Sequence, residues 1–506
     1  MAVLYFSFWS AAAVILLYTF SLEVVCLEEE EHPRIGIVGA GIGGATTAYY
    51  ARQLFGESAV IDIFEETRVG GRLALINIDG QDYEAGATVI HARNMLMLNF
   101  TKMLGLERRD CFDGKLGLYG SDGVVFETSS WSAVTLAKLA WRYGWDMWKI
   151  RGWINDQVIN KFERIYEIQD KGIAFTTVED ILKVMDPMFV DFTKKSVKTL
   201  LKEEGFGDKF IDEFVMAALQ TSYGQTTDVA GFVGAVSIAG ITPGLWSVKG
   251  GNKRVPEKLI KKSKANLIMP AKVTNIILQK DTDGIVSYEV QYTNPDKQPS
   301  AREYDIVIIA TPLPQGQTNI KFEDFPQPVR EPKMSLHKLA LLFVQGTPNI
   351  TTFGYEHIGD LPQALLSMDP NLFWNSYAQA TPVDYKKHLN KKSPDGMEEL
   401  VYKVALNQVP TEPQIRLLFK SRKDLRVVHW GAYPDFSPDM ELPSFLLYDR
   451  LYYVNAIESA ASAMEMNAIG GRNIALLAYN HWHGYLDKID ELHDEDTTSS
   501  SKNEEL

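Results

Sequence analysis

The chain has 506 residues, 45% of them apolar and 23% charged. These are ordinary proportions for a globular protein: they exclude disorder over most of the length and predict two interleaved domains, because one core rarely grows this large. A formal net charge of −14 with no local basic stripe offers nothing to a phosphate backbone and excludes nucleic acid as a partner.

Residues 1–26 carry no charged side chain before Glu23, and Glu28 to Glu31 return the chain abruptly to water. The stretch is read as a cleaved secretory signal peptide, although no Lys or Arg opens it and its apolar run is nearly long enough to remain as an anchor. A cut after Cys26 leaves Cys111 as the sole cysteine, so the mature chain has no internal disulfide even in an oxidising compartment. The secretory route also exposes Asn99 and Asn349, each two residues before a Thr, to N-glycosylation.

Residues 35–38, 39–44, 45–55 and 60–65 read strand, glycine turn, helix, strand, which is one βαβ unit. Helical periodicity fills 131–169 and recurs at 178–185, 192–202 and 210–222. Residues 273–278 and 286–292 bracket an Asp283-Gly284 turn, and 304–310 is a single apolar strand. Strands at 339–344 and 400–405, a helix over 412–423, a strand at 451–456 and a long helix over 460–482 follow. The acidic, polar stretch 487–506 predicts a disordered tail; only its last two residues match an ER-retrieval signal.

Gly39, Gly41 and Gly44 form GxGxxG between a strand and a helix, the context that makes this pattern specific for dinucleotides. Gly39 permits the tight turn, Gly41 lets the backbone approach a pyrophosphate, and Gly44 lets helix and strand pack. The phosphates then meet the free amides of the helix N-terminus. Glu65, ending the second strand, is placed to accept from the ribose hydroxyls, which argues against a 2′-phosphate.

The stretches VGGR at 69–72 and YEAGAT at 83–88 resemble the flavin amine oxidase and desaturase superfamily, as do KGGN at 249–252, IATP at 309–312 and NAIE at 455–458 followed by Met464-Glu465. The resemblance implies an α/β fold in which an FAD-binding Rossmann-like domain (34–95, 246–330, 448–486) interleaves with a mixed α+β substrate domain (96–245, mainly helical, and 331–447). It also implies FAD contacts from Gly39, Gly41, Gly43, Gly44, Glu65, Gly71, Arg72, Gly86, Ala87, Thr88, Val273, Glu458, Met464 and Glu465. The chain departs from the superfamily at Ala456 and at Met466-Asn467, where glycine is usual.

Within that superfamily the chain is most similar to the prenylcysteine oxidase family, on GAGIGG at 39–44, VGGRLA at 69–74, WRYG at 141–144, YGQ at 223–225, FVGAVS at 232–237, LWSV at 245–248, DRLYY at 449–453 and AASAMEM at 460–466. That implies oxidation of farnesyl- or geranylgeranylcysteine to cysteine, an isoprenoid aldehyde and hydrogen peroxide, with molecular oxygen as acceptor and the lysosome as the compartment. A hydride leaves the allylic carbon bonded to sulfur, and water adds to the cation. His91 and Tyr223 are the candidates to steer that water.

Trp141, Trp145 and Trp148, spaced i, i+4, i+7, form one helix face. It lines a prenyl channel, rests on a membrane or lipoprotein surface, or packs in the core. Cys111 reads as a buried free thiol, and His481 with His483 lacks a third ligand, so no metal is expected. Two other readings stay open: an amine or polyene oxidase on this scaffold, and a flavin-retaining lipid carrier without turnover.

Overall fold

A strand covered on both faces needs an unbroken apolar run, and β1 (Arg34–Val38) and β2 (Val60–Phe64) supply two, each buried after its first residue. They pair in parallel, Ile35 beside Ile61 and Ile37 beside Ile63, joined by α1 (Ile42–Phe55). The computed structural model describes residues 32–111, 114–240, 244–296, 298–316, 319–384 and 400–491. The expected signal peptide and most of the expected tail lie outside these.

Around β1 and β2 forms a six-stranded sheet in the order Leu446–Tyr448, Leu451–Tyr453, Ile306–Ile309, β1, β2, Asn266–Ile268. All its pairings are parallel except that of the edge strand Leu446–Tyr448. The C-terminal helix Met464–His483 packs against α1. This is a Rossmann-type domain assembled from remote stretches of chain. The apolar run 304–310 is not one strand. Tyr304 ends Pro299–Tyr304 in a separate four-stranded sheet, and Ile306–Ile309 joins β1. The switch falls at Asp305, whose carboxylate accepts from Arg34 N at 2.7 Å.

The helical region contributes α2 (Met95–Met103), α3 (Ser132–Tyr143), α4 (Asp146–Trp153) and α5 (Met216–Tyr223). The continuous helix predicted over 131–169 breaks at Gly144, which ends α3 at φ +58°. Trp141 and Trp148 therefore stand on different helices with Trp145 at their junction, and the spacing that put them on one face does not apply.

A seven-stranded sheet forms the second layer over the site. Its first three members are β3 (Leu336–Pro348), β4 (Val401–Leu406) and β5 (Phe419–Pro434), in the spatial order β5, β3, β4. The helix predicted over 412–423 stops at Leu418. Residues 419–423 join β5 because pairing with the end of β3 outweighs their helix propensity.

Candidate active site

The glycine turn follows β1, and three of its glycines are forced by the protein itself. A Cβ on Gly39 would lie 2.6 Å from Ala310 O, one on Gly43 2.9 Å from Val454 Cγ1, and one on Gly44 2.1 Å from Gly39 O. Gly41 is different: its Cβ would meet nothing within 4 Å. Packing does not require that glycine, so the space is kept for something outside the chain, as a closely approaching pyrophosphate demands. Beside it, Glu65 accepts from Ala40 N at 2.9 Å, Thr67 N at 2.9 Å and Arg68 N at 3.1 Å. These amides fix the carboxylate in place; Oε1 is filled by Thr67 and Arg68, and Oε2, which accepts only from Ala40 N, keeps acceptor capacity for a ribose hydroxyl. Ala271 N donates to Glu65 O at 2.7 Å, which brings the strand containing Val273 alongside. The residues fit a dinucleotide.

Arg72 and Glu458, proposed separately as cofactor contacts, bind each other. The guanidinium makes a two-pronged ion pair with the buried carboxylate, and its Nη1 also donates to Ala432 O at 2.6 Å. Arg72 therefore ties the GGR turn to the C-terminal segment. Ala432 is an extra residue in β5: Tyr433 pairs with His337 and Gly431 with Lys338, leaving it between. Such a bulge re-aims side chains beside a site. Here it presents Tyr433 edge-on to Tyr223 (5.1 Å, 80°). Gly86 runs so close under Arg72 that a Cβ would sit 1.7 Å from Arg72 O.

Below the same turn, Asn252 Nδ2 donates to Ala87 O and Thr88 O at 2.9 and 3.0 Å, and Asn252 N donates to Glu84 at 2.7 Å. Lys403, on β4, reaches across to Glu84 O at 3.0 Å and Thr88 Oγ1 at 3.3 Å. Burial pushes the Glu84 carboxyl up to about 7 and the Lys403 ammonium down to about 8. Arg72, Lys403 and Tyr433 are deeply enclosed by protein and still keep accessible surface. All three lie at the seam where the Rossmann-type domain meets the seven-stranded sheet, the candidate cleft.

Glu465 caps α2: its oxygens accept from Leu96 N, Met97 N and the Tyr166 hydroxyl at 2.7, 3.0 and 2.7 Å. Met464 begins the C-terminal helix beside it. Tyr223 donates to Ser462 O at 3.1 Å and is buried, so it positions the C-terminal segment. His91 accepts from Arg93 N at 3.2 Å, its backbone carbonyl accepts from Trp246 Nε1 at 3.3 Å, and burial lowers its basicity.

The three tryptophans do not line the cleft, since Trp141 and Trp145 are 93% and 84% exposed. Asn99 is exposed on α2, whereas Asn349 spends its amide hydrogens on Thr352 Oγ1 and Leu417 O. Cys111 is half-buried, donates to Ser247 Oγ at 3.3 Å and has its thiol pushed up by burial. His481 bonds Tyr452, and His483 stacks on Phe55. Among the described residues no cluster of three His, Cys, Asp or Glu could hold a metal.

Two family models match: residues 37–101 fit an NAD(P)-binding Rossmann-like domain, and 126–491 fit the family described as prenylcysteine lyase. The chain belongs to the prenylcysteine lyase family. It is 40% identical to human prenylcysteine oxidase 1 over 90% of this chain and 91% of that one, and 38% identical to bovine prenylcysteine oxidase 1-like over 90% and 92%. Among solved structures the fold is shared with a putrescine oxidase variant (TM-score 0.56, 14% identity, 88% and 98% covered) and with a CLA-producing fatty acid isomerase from P. acnes (0.57, 15%, 87% and 97%). A Rossmann-type domain in this setting is the flavin-binding domain of an oxidoreductase.

Sequence reasoning missed the wall that this prenylcysteine lyase family member builds over its cleft. Lys403, Trp430, Ala432 and Tyr433 come from β4 and β5, and His337 from β3. The His337 ring stacks on Tyr433 at 5.9 Å, and its Nδ1 lies 2.7 Å from Asp435 Oδ1. The one available signal was the alternation Trp430, Ala432 with Gly431, Tyr433 at the end of β5; the charged run before it resembles a helix.

Proposed function

We propose that the chain is an FAD-dependent oxidase that cleaves prenylcysteines, farnesylcysteine and geranylgeranylcysteine, by the balance prenylcysteine plus oxygen plus water gives cysteine, isoprenoid aldehyde and hydrogen peroxide. The observation that carries this reading is the space kept at Gly41 beside Glu65, in a chain whose relatives named prenylcysteine oxidase match it over nine-tenths of its length. Bound FAD supplies the hydride acceptor and passes the electrons to oxygen.

What the protein's own residues supply is position and dryness. The Arg72–Glu458 pair locks the GGR turn to the C-terminal segment, and the Tyr223 hydroxyl holds Ser462. Lys403 and Asn252 fix the carbonyls and hydroxyl of 84–88. Tyr433 and Tyr223 give the cleft an aromatic wall suited to an isoprenoid. Each buried methylene of that tail contributes ~0.8 kcal/mol before ordering costs. The carbon between sulfur and alkene needs no strong base to lose hydride, consistent with His91 and Tyr223 both being engaged elsewhere.

The apolar stretch 1–26 and the exposed Asn99 support passage through the secretory pathway, and the family resemblance supports the lysosome as destination; a glycosidase-sensitive mobility shift lost in Asn99→Gln tests the route. For the chemistry, farnesylcysteine is added anaerobically to the purified protein. Bleaching of the flavin band with release of aldehyde is expected. Bleaching by amines alone would move the assignment to an amine oxidase. Unchanged absorbance with measurable lipid binding would leave a carrier.

A further inference from the structure

A helix on a globular protein ordinarily buries its apolar face. Helix α3 does not: Tyr143 is its only buried residue. Val134, Lys138 and Trp141 share its outer face at i, i+4, i+7. Four tryptophans stand out on this stretch: Trp131 and Trp148 are 73% and 49% exposed, beside the more exposed Trp141 and Trp145. Patches of this kind mark interaction surfaces.

The face is held outward by its attachment. Tyr143 packs edge-on against Phe210 and Phe214, and Arg142 reaches both oxygens of Glu213 at 2.6 and 2.9 Å. Trp145 and Trp148 brace each other at 5.9 Å. Charge distinguishes the face as well. Between residues 131 and 153 stand Lys138, Arg142, Lys149 and Arg151 against Asp146; Glu213 matches Arg142, which leaves a local +2 on a chain of −14.

We propose that α3 and α4 dock on an anionic phospholipid bilayer, with the tryptophans at headgroup level and the cations toward lipid phosphates. Tryptophan's apolar ring and N–H suit that boundary, and basic residues beside aromatic ones are the composition of surface-lying helices. A two-fold contact of the face with itself would set its cations against their own copies, which disfavours a second chain. Among the described residues no helix is long and apolar enough to cross a membrane. The inference rests on exposure and charge, not on the substrate reading, and either can fail alone.

The test is flotation of the full chain with vesicles of phosphatidylcholine, with and without phosphatidylserine, plus quenching of tryptophan fluorescence by brominated lipids. Wild type floats with the anionic vesicles and is quenched. Trp141→Ala/Trp145→Ala/Trp148→Ala weakens partitioning by roughly tenfold or more and loses the quenching. Lys138→Gln/Arg151→Gln weakens it roughly thirtyfold on anionic vesicles and little on neutral ones. The apolar N-terminus is common to all variants, so their differences report on this face. Partitioning and quenching unchanged in both variants overturn the proposal. So does a wild-type dimer that the tryptophan variant dissolves, which would give the face to a second copy.

Discussion

The glycine cradle and the tryptophan-bearing helices both announce themselves in the sequence by regular spacing, and the structure treats them in opposite ways. In the cradle, spacing reports backbone collisions: Gly39, Gly43 and Gly44 are glycines because a Cβ would strike the protein, and only Gly41 is free of that. In α3 and α4, the i, i+4, i+7 spacing presumes one continuous helix, and the break at Gly144 removes that shared face. Of the three readings, prenyl channel, membrane or lipoprotein surface, and core, the exposure of the tryptophans leaves the surface.

The largest effect that would break this contrast is at Gly41. Gly41→Val is expected to fold and melt within about 1 kcal/mol of the flavin-free wild type, since nothing of the protein lies within 4 Å of the new Cβ, and yet to hold no flavin; absorbance and circular dichroism read the two outcomes. Unfolding of the variant would mean that the space belongs to the protein after all.

Next comes the tie across the cradle. Arg72→Met leaves Glu458 buried and uncompensated and is expected to cost about 3–5 kcal/mol in denaturant unfolding. Adding Glu458→Leu should recover most of that. A double variant as weak as the single would show that the pair itself, rather than the stranded charge, holds the GGR turn.

A smaller effect lies in the capping carboxylate. Burial raises Glu465 to about 7 from an ordinary 4.5. Between those values the folded chain keeps a proton that the unfolded chain releases, so stability falls as pH rises across the window. Glu84 acts in the same sense. His91 and His481, whose basicity burial lowers, act oppositely below about 6.5 and are common to both proteins compared. Melting temperature is therefore expected to change less between pH 5 and pH 7.5 in Glu465→Gln than in wild type. An unchanged slope would remove Glu465 as its source.

The smallest effect is at the exposed helices: Trp141→Ala should alter unfolding free energy by no more than about 0.5 kcal/mol. A loss several times larger would mean that Trp141 is packed in solution.

What was legible follows the same division. The βαβ unit, the glycine turn and Glu65 are local in sequence, and the order of the later flavin motifs located Arg72 and Glu458. That these two pair was not legible, because nothing local joins positions nearly four hundred residues apart. The capping role of Glu465 was not legible for a related reason: its motif marks a helix start, but its partners, Leu96, Met97 and Tyr166, come from elsewhere in the chain. The cleft wall was hidden because Lys403, Tyr433 and His337 sit on three strands whose register is set by pairing, and because a single bulge at Ala432 turns Tyr433 toward the site. The apolar run 304–310 shows the limit of periodicity itself, being shared between two sheets.

The measurement that tests the account most directly is the chromophore of the wild-type protein. Purified and then denatured, it is expected to release one FAD per chain, and the apoprotein to take FAD up again. A colourless protein that releases no flavin and binds none on reconstitution would contradict the assignment of the Gly39–Gly44 turn as a dinucleotide site.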